Sequence, residues 1–250
     1  MITFENISKS FEEKEILKGI SGEFKEGKTN LIIGSSGTGK SVLLKIIVGL
    51  VHPDTGTIYF DGRDFTRGDK KLRTSIRRDI GMLFQGGALF DSKNVEENVM
   101  FPLDLDKSKS KSEKLDRVNW CLKRVGLENA NKKMPSEISG GMKKRVGIAR
   151  AIVDDIKYLF CDEPNSGLDP QTSIVIDELI DEITKELKIT TVVVTHDMNS
   201  VMGIGDHIIY LAKGKKLWEG SKDQILETKV PELHDFVFAS KLLQNMKESS

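Results

Sequence analysis

Long apolar runs are absent: no uninterrupted stretch approaches the roughly twenty residues that a membrane-spanning helix needs. Net charge is absent too, since 38 Lys and Arg stand against 38 Asp and Glu. No global field draws the chain to nucleic acid or to an anionic membrane, so any recognition must be local. Cysteine is scarce. Cys121 and Cys161 show neither a disulfide framework nor metal-ligand spacing and read as core thiols of a reducing compartment. The opening MITFENISKS lacks the charged and apolar regions of a signal peptide, so a cytosolic chain is expected. Asn6-Ile7-Ser8 and Arg67-Gly68-Asp69 match a glycosylation acceptor and an adhesion tripeptide, but both act outside cells and are read as coincidences. No repeat at a fixed period and no long heptad pattern appears, which excludes solenoids and extended coiled coils.

What is present fits one substantial core, or a core with a smaller inserted lobe: 250 residues, 38% of them hydrophobic. The first third reads as short strands, ITFENIS, EILKGISGEF, TNLIIG and TIYFDG, with a helix over KSVLLKIIVGL and another strand at DIGMLF. From Val95 to about Val153 the period turns helical. One stripe is Leu115, Val118, Leu122 and Val125 behind a Ser110/Glu113 capping box; a second is Met142, Val146, Ala149 and Val153. The chain then alternates: YLFC, a helix over PQTSIVIDELIDEITKEL with Pro170 in its first turn, TTVVVT and HIIYL. Apolar strands alternating with helices predict a buried parallel sheet. The polar run DKSKSKSEK is read as a solvated loop and helix start.

GSSGTGKS fits G-x-x-x-x-G-K-[ST] between a predicted strand and a predicted helix. Its glycines let backbone amides wrap a triphosphate, Lys40 would neutralise the β and γ oxygens, and Ser41 would ligate Mg²⁺. The plain alternative is a flexible glycine turn. In YLFCDEPNSGLD a buried strand delivers Asp162 and Glu163 at its carboxyl end, where open α/β sheets bind ligands. Asp162 would hold the magnesium shell, and Glu163 would orient or polarise the attacking water. A mere helix cap is the weaker reading, because Pro164 breaks the helix it would serve. His196 and Gln85 follow two other strand ends, the first placed to touch a γ-phosphate, the second a candidate magnesium and water ligand. His52, His207 and His234 read as structural or surface residues. ISGGMKKR looks like a second anion-binding helix start, with a serine, two glycines and three basic residues heading an apolar-periodic run.

In this order, over essentially residues 1–220, these elements resemble the nucleotide-binding subunit of ATP-binding cassette (ABC) transporters. The resemblance implies a P-loop NTPase (RecA-like) parallel-sheet core with an antiparallel β subdomain, an inserted α-helical subdomain over about residues 88–153, and a tail over residues 221–250. ATP and Mg²⁺ are the implied cofactors. The phosphate loop would comprise Gly34, Ser35, Ser36, Gly37, Thr38, Gly39, Lys40 and Ser41, with Val42 after it. Glu163, His196 and Gln85 would be catalytic; Ser41, Gln85 and Asp162 would hold the metal. Phe11 matches the position on which adenine stacks, and residues 166–169 match the D-loop. In this family two subunits pair head to tail, so Ser139, Gly140 and Gly141 of one would close the ATP site of the other.

The usual signature ends in glutamine, whereas Met142 follows the glycines here. With QGGALFDS this resembles the phospholipid-transport branch, which implies an integral permease and an MCE-type (mammalian cell entry) lipid-binding protein as partners, no nucleic acid, and a peripheral place on the inner face of the cytoplasmic membrane. A cassette for an amino acid or a metal shares the same engine. A non-transport cassette is opposed by the single cassette and the missing heptads, and a P-loop kinase explains neither signature nor D-loop. The apolar residues Phe90, Val95, Val99 and Phe101 are expected to exceed what a small lobe buries and to supply a permease groove. In the tail, Leu233, Phe236, Val237 and Leu243 are expected on an amphipathic helix that packs on its own subunit or on a partner.

Overall fold

The computed structural model describes residues 1–105 and 108–239. Strands β1 (Ile2–Phe11) and β2 (Lys14–Phe24) form an antiparallel hairpin. The chain then crosses to a second sheet through β3 (Thr29–Ile33) and α1 (Lys40–Ile47), and returns through β4 (Thr55–Phe60) and β5 (Arg63–Asp64) to give the order β2-β1-β4-β5. Helix α2 (Lys70–Arg78), strand β6 (Ile80–Leu83) and the lobe helices α3 (Val95–Met100), α4 (Lys111–Arg124) and α5 (Gly140–Ala151) follow. The rest is β7 (Tyr158–Asp162), α6 (Pro170–Leu187), β8 (Thr190–Thr195), α7 (Met198–Ile204), β9 (His207–Ala212), β10 (Lys215–Gly220), α8 (Lys222–Ile225) and α9 (Pro231–Val237).

The second sheet has the order β10-β9-β3-β8-β7-β6, all parallel except edge strand β10. Every residue of β3, β7, β8 and β9 is buried, as a sheet covered on both faces requires. Alternation sorts them. Ile32, Val192 and Val194 join a cluster with α1 and the antiparallel sheet, whereas Leu31, Ile33 and Val193 join the cluster that continues into α5 and α6. Because the strands are parallel, the segments after β3, β6, β7 and β8 all emerge along one edge.

Caps set the helices where the sequence placed them. Ser110 and Glu113 close a capping box on α4, and Asp169 caps α6 with Pro170 in its first turn. The lobe buries more than the sequence suggested. Val95 and Val99 are fully buried, in a cluster with Val118, Leu122 and Val146, so of the four residues assigned to an open groove only Phe90 and Phe101 are exposed. Both cysteines are buried and free, and burial pushes the Cys121 thiol up to about 12. Of the polar run, Lys109 and Lys114 pair with Asp154 and Asp104, while Asp106 and Lys107 lie outside the described residues. Helix α9 packs on its own subunit: Leu233 and Val237 are buried, and the ring of Phe236 lies 5.5 Å from that of Tyr210. Leu243 lies outside the described residues.

Candidate functional site

The loop between β3 and α1 has the shape its glycines permit. Gly34 has φ 147° and Gly39 φ 100°. A Cβ on Gly34 would lie 2.2 Å from the Leu211 carbonyl oxygen, and one on Gly39 would lie 2.7 Å from Leu17, so neither position admits a side chain. Ser35, Ser36 and Gly37 are exposed on its outer turn, and Thr38 Oγ1 donates to the Ser35 carbonyl at 2.9 Å. Lys40 Nζ donates to the carbonyls of Gly34 (2.8 Å) and Ser35 (2.9 Å), which holds the ammonium inside the loop with a third N–H to spare. Burial lowers its pKa, opposed by Glu163 and Asp162. Ser41 and Val42 continue into α1, and Ser41 Oγ donates to Asp162 Oδ1 at 2.7 Å. Phe11 is exposed on the β1–β2 hairpin, with Lys9 Nζ 5.4 Å from its ring centroid.

The other strand ends converge on Glu163. Gln85 Nε2 donates to its Oε2 at 2.9 Å, and His196 Nδ1 lies 3.4 Å from its Oε1. Glu163 has φ 46°, rare for a residue with a side chain and typical of sites where the surroundings dictate the backbone. Its amide donates to the Val194 carbonyl at 2.9 Å, and its own carbonyl accepts from Ser166 N at 3.2 Å.

The sequence counts Lys144 among the three basic residues heading an anion-binding helix, but the structure turns it inward. It sits on α5, 5% exposed, and its Nζ donates to the Gln85 carbonyl and reaches the Glu163 carbonyl at 3.5 Å. Burial lowers its pKa, opposed by Cys161, Glu163 and Asp162. One ammonium therefore ties the helix behind ISGGMKKR to two strand ends. Lys144→Met should leave ATP affinity within about twofold of wild type and lower kcat about ten- to a hundredfold, the cost of a small displacement of reacting groups. Lys144→Arg should recover part of it. Steady-state ATPase assays beside equilibrium nucleotide binding check this, and an unchanged kcat would make Lys144 a fold residue only. Sequence reasoning missed Asn165. Its Nδ2 donates to Asp177 Oδ1 (2.8 Å) and Ser200 Oγ (3.1 Å), tying the turn after Glu163 to α6 and α7, and burial pushes the Asp177 carboxyl up to about 6.

The segment expected to form a second cradle lies at the start of α5. Ser139 is its N-cap, with Oγ accepting from Met142 N at 3.3 Å, and Ser139 and Gly140 are exposed. A Cβ on Gly141 would lie 2.7 Å from Thr172 Cγ2, so this glycine sets the approach of α5 to α6. The thioether of Met142 is half-buried against the core, leaving the end of the cradle to backbone amides.

A glycine-rich loop of the phosphate-binding pattern at one strand end, beside a hydroxyl–carboxylate pair, defines a P-loop ATPase of the parallel-sheet class. Within that class the chain belongs to the ABC transporter family, whose model matches residues 17–166. It is 38% identical over 236 residues to the probable ribonucleotide transport ATP-binding protein mkl of Mycobacterium leprae, covering 94% of this chain and 68% of that one. It is 40% identical over 242 residues to the methionine import ATP-binding protein MetN of Vibrio vulnificus, covering 95% of this chain and 70% of that one. Among solved structures, the dimeric bacterial ABC transporter cassette MJ0796 is 36% identical, with a TM-score of 0.81 over 89% of this chain and 99% of that one. A dimeric post-hydrolysis state of MJ0796 with ADP and Pi gives 0.80 at 35% identity, with the same coverage. The fold is that of the ABC ATPase cassettes, and the chain is an ATP-binding, ATP-hydrolysing subunit of an ABC transporter.

Proposed function

We propose that a homodimer of this subunit, bound to an integral permease at the inner face of the cytoplasmic membrane, powers phospholipid transport with an MCE-type lipid-binding protein. The observation that carries the engine is the meeting of Gln85, Glu163 and His196 beside the Ser41–Asp162 pair. In that reading the phosphate-loop amides and Lys40 hold the β and γ phosphates, and Phe11 stacks on adenine. Ser41 and Asp162 put two hard oxygens side by side, a donor set that fits Mg²⁺, with Gln85 as a further ligand; bound there, the ion would neutralise phosphate oxygens. Glu163 accepts a proton from the attacking water, and His196 faces the γ-phosphate. Ser139, Gly140 and Gly141 present a helix amino terminus to the partner's γ-phosphate. Residues 1–220 act as the cassette, with residues 221–250 appended.

The lipid cargo rests on Met142 and on QGGALFDS, the features of the phospholipid-transport branch. A second cargo, an amino acid, is favoured by the 40% identity to a methionine import protein. Copurifying the transporter and identifying what the permease and its binding protein retain separates them: retained phospholipid supports the first reading, and methionine overturns it.

The permease site follows from a groove of about 850 Å³ between β6 and the helical lobe, lined by Phe84, Phe90, Phe101, Pro102 and Arg150. The rings of Phe90 and Phe101 meet at 4.7 Å, tilted by 55°, and Arg150 donates to the carbonyls of Gly87 (2.7 Å) and Ala88 (2.8 Å). An aromatic pair over an apolar recess is the anchor an amphipathic helix uses, and Gln85 lies next to Phe84, so occupancy is felt at the ATP site. Phe90→Asp should weaken permease association about thirtyfold and leave the subunit's melting temperature nearly unchanged. Pull-down in detergent beside thermal melting checks this; if the stability loss dominates, the ring is core.

A further inference from the structure

The geometry points to a second membrane contact on this subunit: the outward face of α2 is an electrostatic docking surface for anionic phospholipid headgroups. Between residues 67 and 78 the sequence RGDKKLRTSIRR holds Arg67, Lys70, Lys71, Arg73, Arg77 and Arg78 against the single carboxylate of Asp69, in a chain that is neutral as a whole and therefore net acidic outside this segment. Asp69 is occupied as the N-cap of α2, its Oδ1 accepting from Leu72 N at 2.7 Å. Asp79, just past the helix, is occupied by Arg63 (3.1 Å) and Lys157 (3.6 Å). Among the described residues no carboxylate pairs with any of the six cations.

Leu72 and Ile76 are the apolar side of the helix, packed on the core, and at 100° per residue its five cations all fall on the remaining arc. All six except half-buried Arg73 are exposed. Among the described residues only Arg77 of the six is partly engaged, donating to the Gly49 carbonyl and lying 5.8 Å over the Phe65 ring. The outcome is a band of cations without carboxylate partners along about 13 Å of helix, with no apolar anchor on that arc. Such a strip complements a fluid sheet of phosphates better than a shaped peptide.

Its position gives it a membrane. Thr74, Arg77 and Arg78 line the same groove that holds Phe90 and Phe101, so α2 is continuous with the surface we assign to the permease, and the orientation toward lipid rests on that reading. A permease helix entering the groove comes from the bilayer and brings headgroups toward this rim. Each basic residue near an anionic leaflet multiplies partition by about five, and the effect fades beyond about 8 Å at physiological salt. The strip thus helps seat the subunit against the leaflet and makes that seating sensitive to lipid charge.

The test is cosedimentation of the full chain, without permease, with vesicles of phosphatidylglycerol and phosphatidylcholine or of phosphatidylcholine alone. Binding is expected only to the anionic vesicles, at about 50 mM salt, with release by about 0.5 M. The triple variant Arg67→Gln, Lys70→Gln, Lys71→Gln, which leaves the groove lining intact, should bind about tenfold or more weakly, with unchanged ATPase rate and melting temperature. A control triple with the same charge change, Lys133→Gln, Lys215→Gln, Lys229→Gln, should bind as wild type does. Equal binding to both vesicle types, no binding at low salt, or equal loss in both triples overturns the proposal. If the α2 triple instead loses permease in lipid-free detergent and vesicles play no part, the strip reads an acidic permease segment and the lipid proposal fails. The groove reading falls separately, through Phe90→Asp.

Discussion

Glu163→Gln is expected to bind ATP as wild type does, to hydrolyse it about a hundred- to ten-thousandfold more slowly, and to accumulate as an ATP-dependent dimer. The carboxylate has the position for the chemistry, with Gln85 Nε2 at 2.9 Å on one oxygen and His196 Nδ1 at 3.4 Å on the other. An amide keeps that shape but cannot accept the proton of an attacking water. The backbone stays in place, since the Glu163 amide is held by the Val194 carbonyl and nothing about its φ of 46° changes with the amide. Binding stays because, in the proposed site, phosphate contacts come from the loop and Lys40, not from Glu163. Size-exclusion chromatography with and without ATP and Mg²⁺ reads the dimer, and a phosphate-release assay reads turnover. Hydrolysis within a few fold of wild type would remove Glu163 from the chemical step.

What the sequence made legible is what phosphate chemistry constrains locally. A strand, a glycine loop and a helix must adjoin to wrap a triphosphate, so GSSGTGKS carried its own context, and the apolar runs within β7, β8 and β9 pointed to a sheet buried on both faces. The convergence of Gln85, Glu163 and His196 followed from parallel strands ending along one edge. Lys144 was illegible for the opposite reason. It follows Lys143 and precedes Arg145 in a run that reads as the basic head of an anion-binding helix, and its burial depends on β6 and β7 ending beneath α5, which no local pattern records. Val95 and Val99 were misjudged because a six-residue helix shows too little periodicity to reveal that α4 and α5 cover it. Helix α2, with only Leu72 and Ile76 apolar, was invisible to periodicity and is held by its Asp69 cap and by the core beneath it.

Ser139→Arg should stop ATP turnover in the assembled transporter while leaving the same chain's phosphate loop able to bind nucleotide. Ser139 is exposed at the head of α5, and the amides behind it belong to the first helical turn, where backbone donors have no partner within the helix. Losing the cap costs about 1 kcal/mol, too little to unfold a cassette of this size. An arginine there fills the space that a partner's γ-phosphate must enter, so closure fails at a site the chain itself does not own. Lys40→Ala breaks the complementary half. Its ammonium holds Gly34 and Ser35 and supports phosphate charge, so this variant should lose ATP binding with little loss of core packing. Each variant alone is therefore expected to be nearly inactive with permease. In a mixed pair both lesions fall in one composite site, and the other joins an intact phosphate loop to an intact Ser139. Mixing the two should restore hydrolysis at one site, or at least closure around one nucleotide if turnover needs both. The measurement that decides is the phosphate-release rate of Ser139→Arg alone, reconstituted with permease. At the wild-type rate, ISGGMKKR is an ordinary capped helix, and the head-to-tail account of two cradles making one site is wrong.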